Sequence, residues 1–367
     1  SEGRMREDAL PSKTNQAIFV REFVKLAEEK NWNYNIIEAF DQPWKRVSEG
    51  AVGGFWGLFD KDRLDKNVFT GDVSNFPNYK YLGFGSLLLI FGFSFLLKNS
   101  NISTKRVVLF SFINTIFAVL YMLQMEQFNI TVRSSGEVVW ATLVLLTHLA
   151  IYYFVLLNIA KESKPKIVGI REILTNKVFN VDTLPMILFY SSFIFVLIST
   201  IILAFEGRYR NFEIYIFAIS AISFVLLYGG RFANMEFKAF EKLSFIVLLI
   251  TSIISFYNEG SLNIFSNIWI IIALIFTYIL FQGSKNNSFS ELKTIAKYIA
   301  IFFIFSISLR YGIIADKDII AQCHLNDDTL LCGFKNEIGY WGYIGVFGII
   351  AIFLSFLTLF IKDRKSV

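Results

Sequence analysis

Hydrophobic and polar positions are arranged in two ways along this chain. Up to about residue 75 they are finely mixed, with charged residues throughout. From Tyr79 onward they separate into runs of roughly 20 apolar residues divided by charged loops, each run long enough to cross a ~30 Å hydrocarbon core. The runs fall at 79–97, 107–125, 138–160, 184–205, 212–229, 243–257, 264–282, 295–313 and 340–361. Lipid offers peptide groups no hydrogen-bond partner, so each run is predicted to be a helix. The pattern therefore predicts a mainly α protein: a polytopic bundle of about nine transmembrane helices over 76–367, preceded by a distinct segment over 1–75.

The loops predict an orientation. Lys98, Lys105 and Arg106 follow the first run, and Lys161, Lys164, Lys166, Arg171 and Lys177 follow the third. Arg231, Lys238 and Lys242 follow the fifth, Lys285 and Lys293 the seventh, and Lys362, Arg364 and Lys365 the ninth. The alternate loops are poorer in cations, with Arg208 and Arg210 the only cluster against the trend. The positive-inside rule then places the N-terminal segment outside and the C-terminus in the cytoplasm. Cys323 and Cys332 share an outer loop, where oxidising conditions favour a disulfide over two free thiols. His324 beside them lacks a fourth ligand at a recognised spacing, so no metal site is expected.

Composition sharpens this picture. The chain is 54% hydrophobic with 41 Phe, beyond the range of an ordinary soluble domain. Its net charge of +5 resides in loops rather than on one face, which argues against nucleic acid. Within the runs, His148 reads as a neutral side chain bonded to a neighbouring helix, and Lys242, Lys297 and Arg310 lie near run ends where they can snorkel. Trp140, Trp269, Tyr340 and Trp341 fit an aromatic belt.

The N-terminal segment opens without a signal peptide and lacks the core of a complete enzyme domain, so further polypeptide is expected upstream of Ser1. After Ser12 a helix is expected from about Lys13 to Lys30, with Ala17, Val20, Val24 and Ala27 on its inner side. A strand is expected over Tyr34–Phe40, carrying Glu38, then a loop holding Asp41, Gln42, Trp44, Lys45, Glu49 and Trp56. Helix, strand and chemically loaded loop is a unit of a (β/α)₈ barrel, whose active sites form at the C-terminal ends of strands.

The residues themselves carry a resemblance. Glu38-Ala39-Phe40-Asp41-Gln42-Pro43-Trp44-Lys45 is similar to the Glu-Ala-Phe-Asp-Glu-x-Trp-Lys motif on the eighth strand of glycoside hydrolase family seventeen. Glu49 with Trp56-Gly57-Leu58-Phe59 resembles that family's following Glu-x-x-Trp-Gly-Leu-Phe motif, and Ser1-Glu2-Gly3 the end of its Glu-Thr/Ile-Gly-Trp-Pro-Ser motif. The resemblance covers about the first 60 residues. It implies the C-terminal fragment of a barrel over 1–75, fused to a polytopic membrane domain as in bacterial β-glucan synthesis or remodelling proteins. The implied activity is a β-1,3/β-1,6-glucan hydrolase or transglycosylase of the bacterial inner membrane, with the barrel on the periplasmic side. The implied partners are a β-glucan, the lipid bilayer and a glucan-synthesis glycosyltransferase, with no cofactor.

By that resemblance the nucleophile and general acid lie upstream of Ser1, so this chain alone is expected to be inactive. Lys45 and Glu49 are implied to flank the reacting sugar, against the plainer reading of a solvated ion pair. Gln42 stands where the family commonly has an acid, which keeps hydrogen bonding but removes charge. Trp44 and Trp56 suit either stacking on sugar or closing the barrel bottom. Glu38 suits substrate contact, and otherwise requires a partner. Another class remains open: a membrane scaffold or conduit for β-glucan export or synthesis, which would need a continuous polar or aromatic path through the helices.

Overall fold

In the computed structural model of the protein, the residues described are 2–98, 100, 102–163, 165–170, 172–173, 183–206, 210–229, 239–284 and 332. The chain divides into two units, 1–235 with 245–283, and 236–244 with 284–367. The first contains nearly all of the described residues. The predicted runs 295–313 and 340–361 lie outside them, as do Lys297, Arg310, Tyr340 and Trp341.

Helix dominates the first unit. In the N-terminal segment, α1 (Lys13–Glu29) starts where the Ser12 hydroxyl accepts from the Asn15 N–H, satisfying one of the orphan donors of the first turn. Ala17, Val20 and Ala27 form its buried face, as the periodicity predicts, while Val24 is only half-buried. Beyond α1 the segment is almost without regular structure. A 3₁₀ turn (Pro43–Lys45) leads into the one-turn α2 (Arg46–Glu49).

The predicted strand over Tyr34–Phe40 does not form a ladder. Only a single parallel bridge links Phe40 to Phe59, and an antiparallel one links Phe59 to Asp65. A parallel strand is stabilised by neighbours on both sides, and the described residues provide just one short pairing. No strand and no barrel is seen among the described residues.

The bundle begins with α3 (Tyr79–Ser94), followed by α4 (Thr104–Thr131), α5 (Ser135–Lys161), α6 (Leu184–Glu206), α7 (Ile214–Tyr228), α8 (Ala239–Glu259) and α9 (Ile264–Ser284). Six of these helices contain stretches long and apolar enough to cross a membrane, and α7 is a shorter apolar helix. Such surfaces fit contact with a lipid bilayer and a multi-pass membrane protein. The expected positions hold, but α4 is longer than its 107–125 run. Its 28 residues span about 42 Å, beyond a ~30 Å core, because Thr104–Arg106 and Glu126–Thr131 continue the helix with polar residues.

Within the first unit α3 packs on α4, α4 on α5 and α7, and α5 on α6 and α7. Phe189, Phe193, Phe217, Phe224, Trp269 and Phe276 are fully buried and form an aromatic core joining α6, α7 and α9. Trp269 is thus a core residue, not part of a boundary belt: its ring meets Phe217 edge-on and its indole N–H donates to Thr200 at 3.2 Å. His148 joins Val144 of its own helix at 2.7 Å and Ser192 of α6 at 3.3 Å, a helix-to-helix tie. Lys242, in the second unit, is buried rather than snorkelling.

The N-terminal segment is fastened to one end of this bundle. Arg4 forms an ion pair with Glu259, and its guanidinium lies 5.0 Å from the Phe212 ring centre. Asn263 donates to the Met5 carbonyl and to Glu259, each at 3.0 Å. Arg46 donates to the Ile130 carbonyl at 3.1 Å. The segment therefore meets the C-terminal ends of α4 and α8 and the start of α9, chain ends that the charge alternation assigned to one side. Arg210, exceptional in that alternation, has local compensation: it lies 3.9 Å from Glu137, which is paired with Arg133.

Candidate functional site

The chain from Ile37 to Leu64 doubles back on itself. Leu58 and Phe59 donate backbone N–H groups to the Glu38 and Ala39 carbonyls, and Asp41 donates back to Phe59. The crossing requires glycine at 57, since a Cβ there would collide with the backbone of Phe40 and Asp41. The Gln16 side chain, from α1, donates to the Trp56 and Gly57 carbonyls at 3.0 Å each and holds this crossing against the helix.

At the crossing Glu38 is buried and its two carboxylate oxygens are used separately. One accepts from Gln42 at 2.8 Å; the other forms an ion pair with Lys45. The 3₁₀ turn brings both partners back over Glu38, since Gln42 caps it and Lys45 ends it. Lys45 is the partner of Glu38, so the plainer reading of a solvated Lys45–Glu49 ion pair does not hold. Its side chain remains 18% exposed, and an ammonium carries three donors, of which Glu38 takes one. Trp44 beside it is 69% exposed, with the Lys45 ammonium 5.7 Å from its ring centre. Glu38, Gln42, Lys45 and Trp44 thus place an acceptor, two donors and an open aromatic face together.

The other candidates separate from this cluster. Asp41 accepts from Lys66 and from the Gly57 N–H, both at 2.9 Å, and its carboxylate is almost fully enclosed. Burial raises the Asp41 carboxyl above the usual carboxylate value, against the lowering effect of Lys66 and the Gly57 N–H. Lys66 also donates to the Phe55 and Gly57 carbonyls at 3.2 and 2.8 Å, making Asp41–Lys66 a structural clasp. Glu49 lies against Gly53, and one of its carboxylate oxygens is buried without a hydrogen-bond partner among the described residues. Trp56 is 44% exposed while its carbonyl is held by Gln16.

Sequence reasoning missed Lys66, Gln16 and Arg21. Arg21 donates to the carbonyls of Asn67, Val68 and Gly71, pinning the exit loop along α1. A lysine or arginine far along a polar segment carries no local signal of such a role. No group of three or more His, Cys, Asp or Glu able to hold a metal occurs among the described residues. Cys332 is buried and disulfide-bonded, whereas Cys323 lies outside the described residues.

Chemically, the cluster can bind but does not form an acid–nucleophile pair. Retaining glycoside cleavage uses two carboxyl groups about 5–5.5 Å apart, one protonated and one free to attack. Glu38 is engaged by a lysine and an amide, and Asp41 is enclosed by a different lysine. The arrangement suits hydroxyl recognition against an aromatic face. Compared with known proteins, the chain matches no family model, no curated protein and no solved structure.

Proposed function

We propose that this chain is the C-terminal part of a membrane-anchored β-glucan hydrolase or transglycosylase, acting on β-1,3- or β-1,6-linked glucose units at the outer face of a bacterial inner membrane. The observation that carries this reading is the joining of Glu38, Gln42 and Lys45 beside the open face of Trp44. Carboxylate, amide and ammonium provide the donors and acceptors that sugar hydroxyls need, and an aromatic face covers the apolar side of a pyranose. In this reading the nucleophile and general acid come from polypeptide upstream of Ser1, and the helices serve as anchor. Cys323 pairs with Cys332 on the outer side.

Two further features support it. Glu49 buries a carboxylate oxygen with no partner among the described residues, which is costly unless a ligand or further chain supplies one. On α1, Phe19 is 69% exposed and stacks on Phe23, which meets Tyr34 edge-on, leaving an apolar face outward. Further polypeptide packed on that face would remove it from water, at about 25 cal/mol per Å² buried. A conduit for glucan fits less well, because hydroxyls in the described helices mostly bond back to their own backbones.

The test uses the full-length protein and laminarin. Lys45→Ala alone would strand the Glu38 carboxylate and confuse stability with function. Glu38→Gln combined with Lys45→Met removes both charges at similar volume, a change that is often neutral for stability. The expected result is an unchanged melting temperature with kcat/KM lowered at least about tenfold, equivalent to about 1.4 kcal/mol of barrier. Unchanged kinetics, or laminarin cleavage by residues 1–367 alone, would overturn the proposal.

A further inference from the structure

The first pair of spanning helices leaves a cleft whose walls are almost entirely apolar and whose mouth is charged. α3 contributes Leu82, Gly83, Ser86 and Ile90, and α4 contributes Val119 and Met122, around about 360 Å³. Ser86 adds no polarity, because its hydroxyl donates to the Leu82 carbonyl at 2.8 Å. A Cβ added at Gly83 would meet nothing within 4 Å, so the missing side chain is what leaves this part of the cleft open.

Both walls continue to the mouth in helical register. Tyr79 precedes Gly83 by one turn on the same stripe of α3, and Glu126 follows Met122 by one turn on α4. The Lys80 ammonium lies 5.9 Å from the Tyr79 ring centre. The Glu126 carboxylate accepts from the Asn78 side chain at 2.8 Å through one oxygen, leaving the other available. The mouth therefore presents one cation and one anion at the level where α3 begins, beside exposed Tyr79 and Tyr81 at 61% and 78%. Tyrosines at that level fit the membrane–water interface.

The occupant must match an apolar slot with a charged pair at one end. From Leu82 to Ile90 the cleft runs about 12 Å, well under half of a spanning helix. That length suits an alkyl chain better than a second helix, and a mouth of zero net charge suits a headgroup that is also neutral overall. We propose that the cleft between α3 and α4 seats one acyl chain of a zwitterionic glycerophospholipid, taken from the leaflet beside the N-terminal segment, with Lys80 facing its phosphate and Glu126 its ammonium. The inference does not depend on the glucan reading.

The test reconstitutes the full chain in nanodiscs containing phosphatidylethanolamine and phosphatidylglycerol, extracts it into mild detergent, and counts retained lipid by native mass spectrometry. Gly83→Phe fills the cleft from an open position. Gly92→Phe, also at an open position but on the opposite side of α3, is the control. Wild type and Gly92→Phe are expected to retain phosphatidylethanolamine, and Gly83→Phe to retain about tenfold less. Lys80→Ala is expected to lower retention while leaving the helices unaltered by circular dichroism, which keeps the proposal testable if the Phe variant misfolds. Equal retention in all variants, or preferential retention of phosphatidylglycerol by wild type, would overturn it. So would a dimer that Gly83→Phe dissociates without loss of lipid.

Discussion

Side chains of the N-terminal segment reach carbonyls far along the chain, whereas serine and threonine hydroxyls in the helical bundle mostly bond back within one turn. In the segment, Arg21 reaches carbonyls 46 to 50 residues away, and Lys66 collects a carboxylate and two carbonyls from residues 41, 55 and 57. In the bundle, Ser86, Thr142, Thr200, Ser223, Ser252 and Thr277 each donate to the carbonyl four residues earlier. The difference follows from what the backbone leaves unpaired. A helix satisfies its own peptide groups, so a hydroxyl within it needs only a second hold on an already bonded carbonyl. Residues 30–78 are mostly without helix or strand, and many of their carbonyls must be satisfied by side chains.

Removing a long-range staple should therefore cost far more than removing a local hydroxyl. The largest expected effect is for Lys66→Ala, which leaves the enclosed Asp41 carboxylate with only the Gly57 N–H. Breaking a buried pair this way should destabilise the segment by about 3 kcal/mol. Tryptophan fluorescence during denaturation, together with proteolysis of residues 55–72, would measure it, and a loss no larger than that of a surface lysine would break the comparison.

A smaller effect concerns proton binding at the same clasp. Burial raises the Asp41 carboxyl in the folded protein from its ordinary value of 3.8. Between those two values the folded state holds a proton that the unfolded state has released. This group's contribution to stability therefore declines as pH rises through that window. Asp41→Asn should lack the decline. Melting temperatures of both proteins across the acid range would test the sign, which fails if wild type gains stability relative to Asn as pH rises there.

The smallest effect is expected in the bundle. Thr277→Val keeps the shape and removes only the hydroxyl donated to Ala273, and should cost about 0.6 kcal/mol or less. A loss approaching that of Lys66→Ala, measured by thermal unfolding in detergent, would show that helix hydroxyls matter as much as the staples.

The same contrast explains what the sequence could reveal. Membrane-length helices were legible because each apolar run has to solve its own backbone pairing; only their polar extensions, such as Glu126–Thr131 of α4, were hidden. The α1 face was legible for a similar reason, since Ala17, Val20 and Ala27 recur at helical spacing. The strand over Tyr34–Phe40 was not, because alternation can extend a chain but a ladder needs neighbours. Within the site, the grouping of Glu38, Gln42 and Lys45 was anticipated by motif, but their pairing was not. Lys45 and Glu49 stand four apart, a spacing that invites an ion pair on a helix. The helix starts only at Arg46, and the 3₁₀ turn before it swings Lys45 back to Glu38. Lys66 was invisible because it acts across a loop whose path no local pattern encodes.

The Arg4–Glu259 fastening has a consequence in time. Its partners are 255 residues apart, and Met5 and Asn263 are 258 apart. At a synthesis rate of about 5–20 residues per second, roughly 13 to 50 seconds separate the emergence of the first partner from that of the second. Throughout that interval Arg4 lacks its carboxylate partner, although Phe212 emerges earlier. The N-terminal segment must wait beside a half-built bundle, and it reaches its final seating only after the α8–α9 hairpin has been inserted.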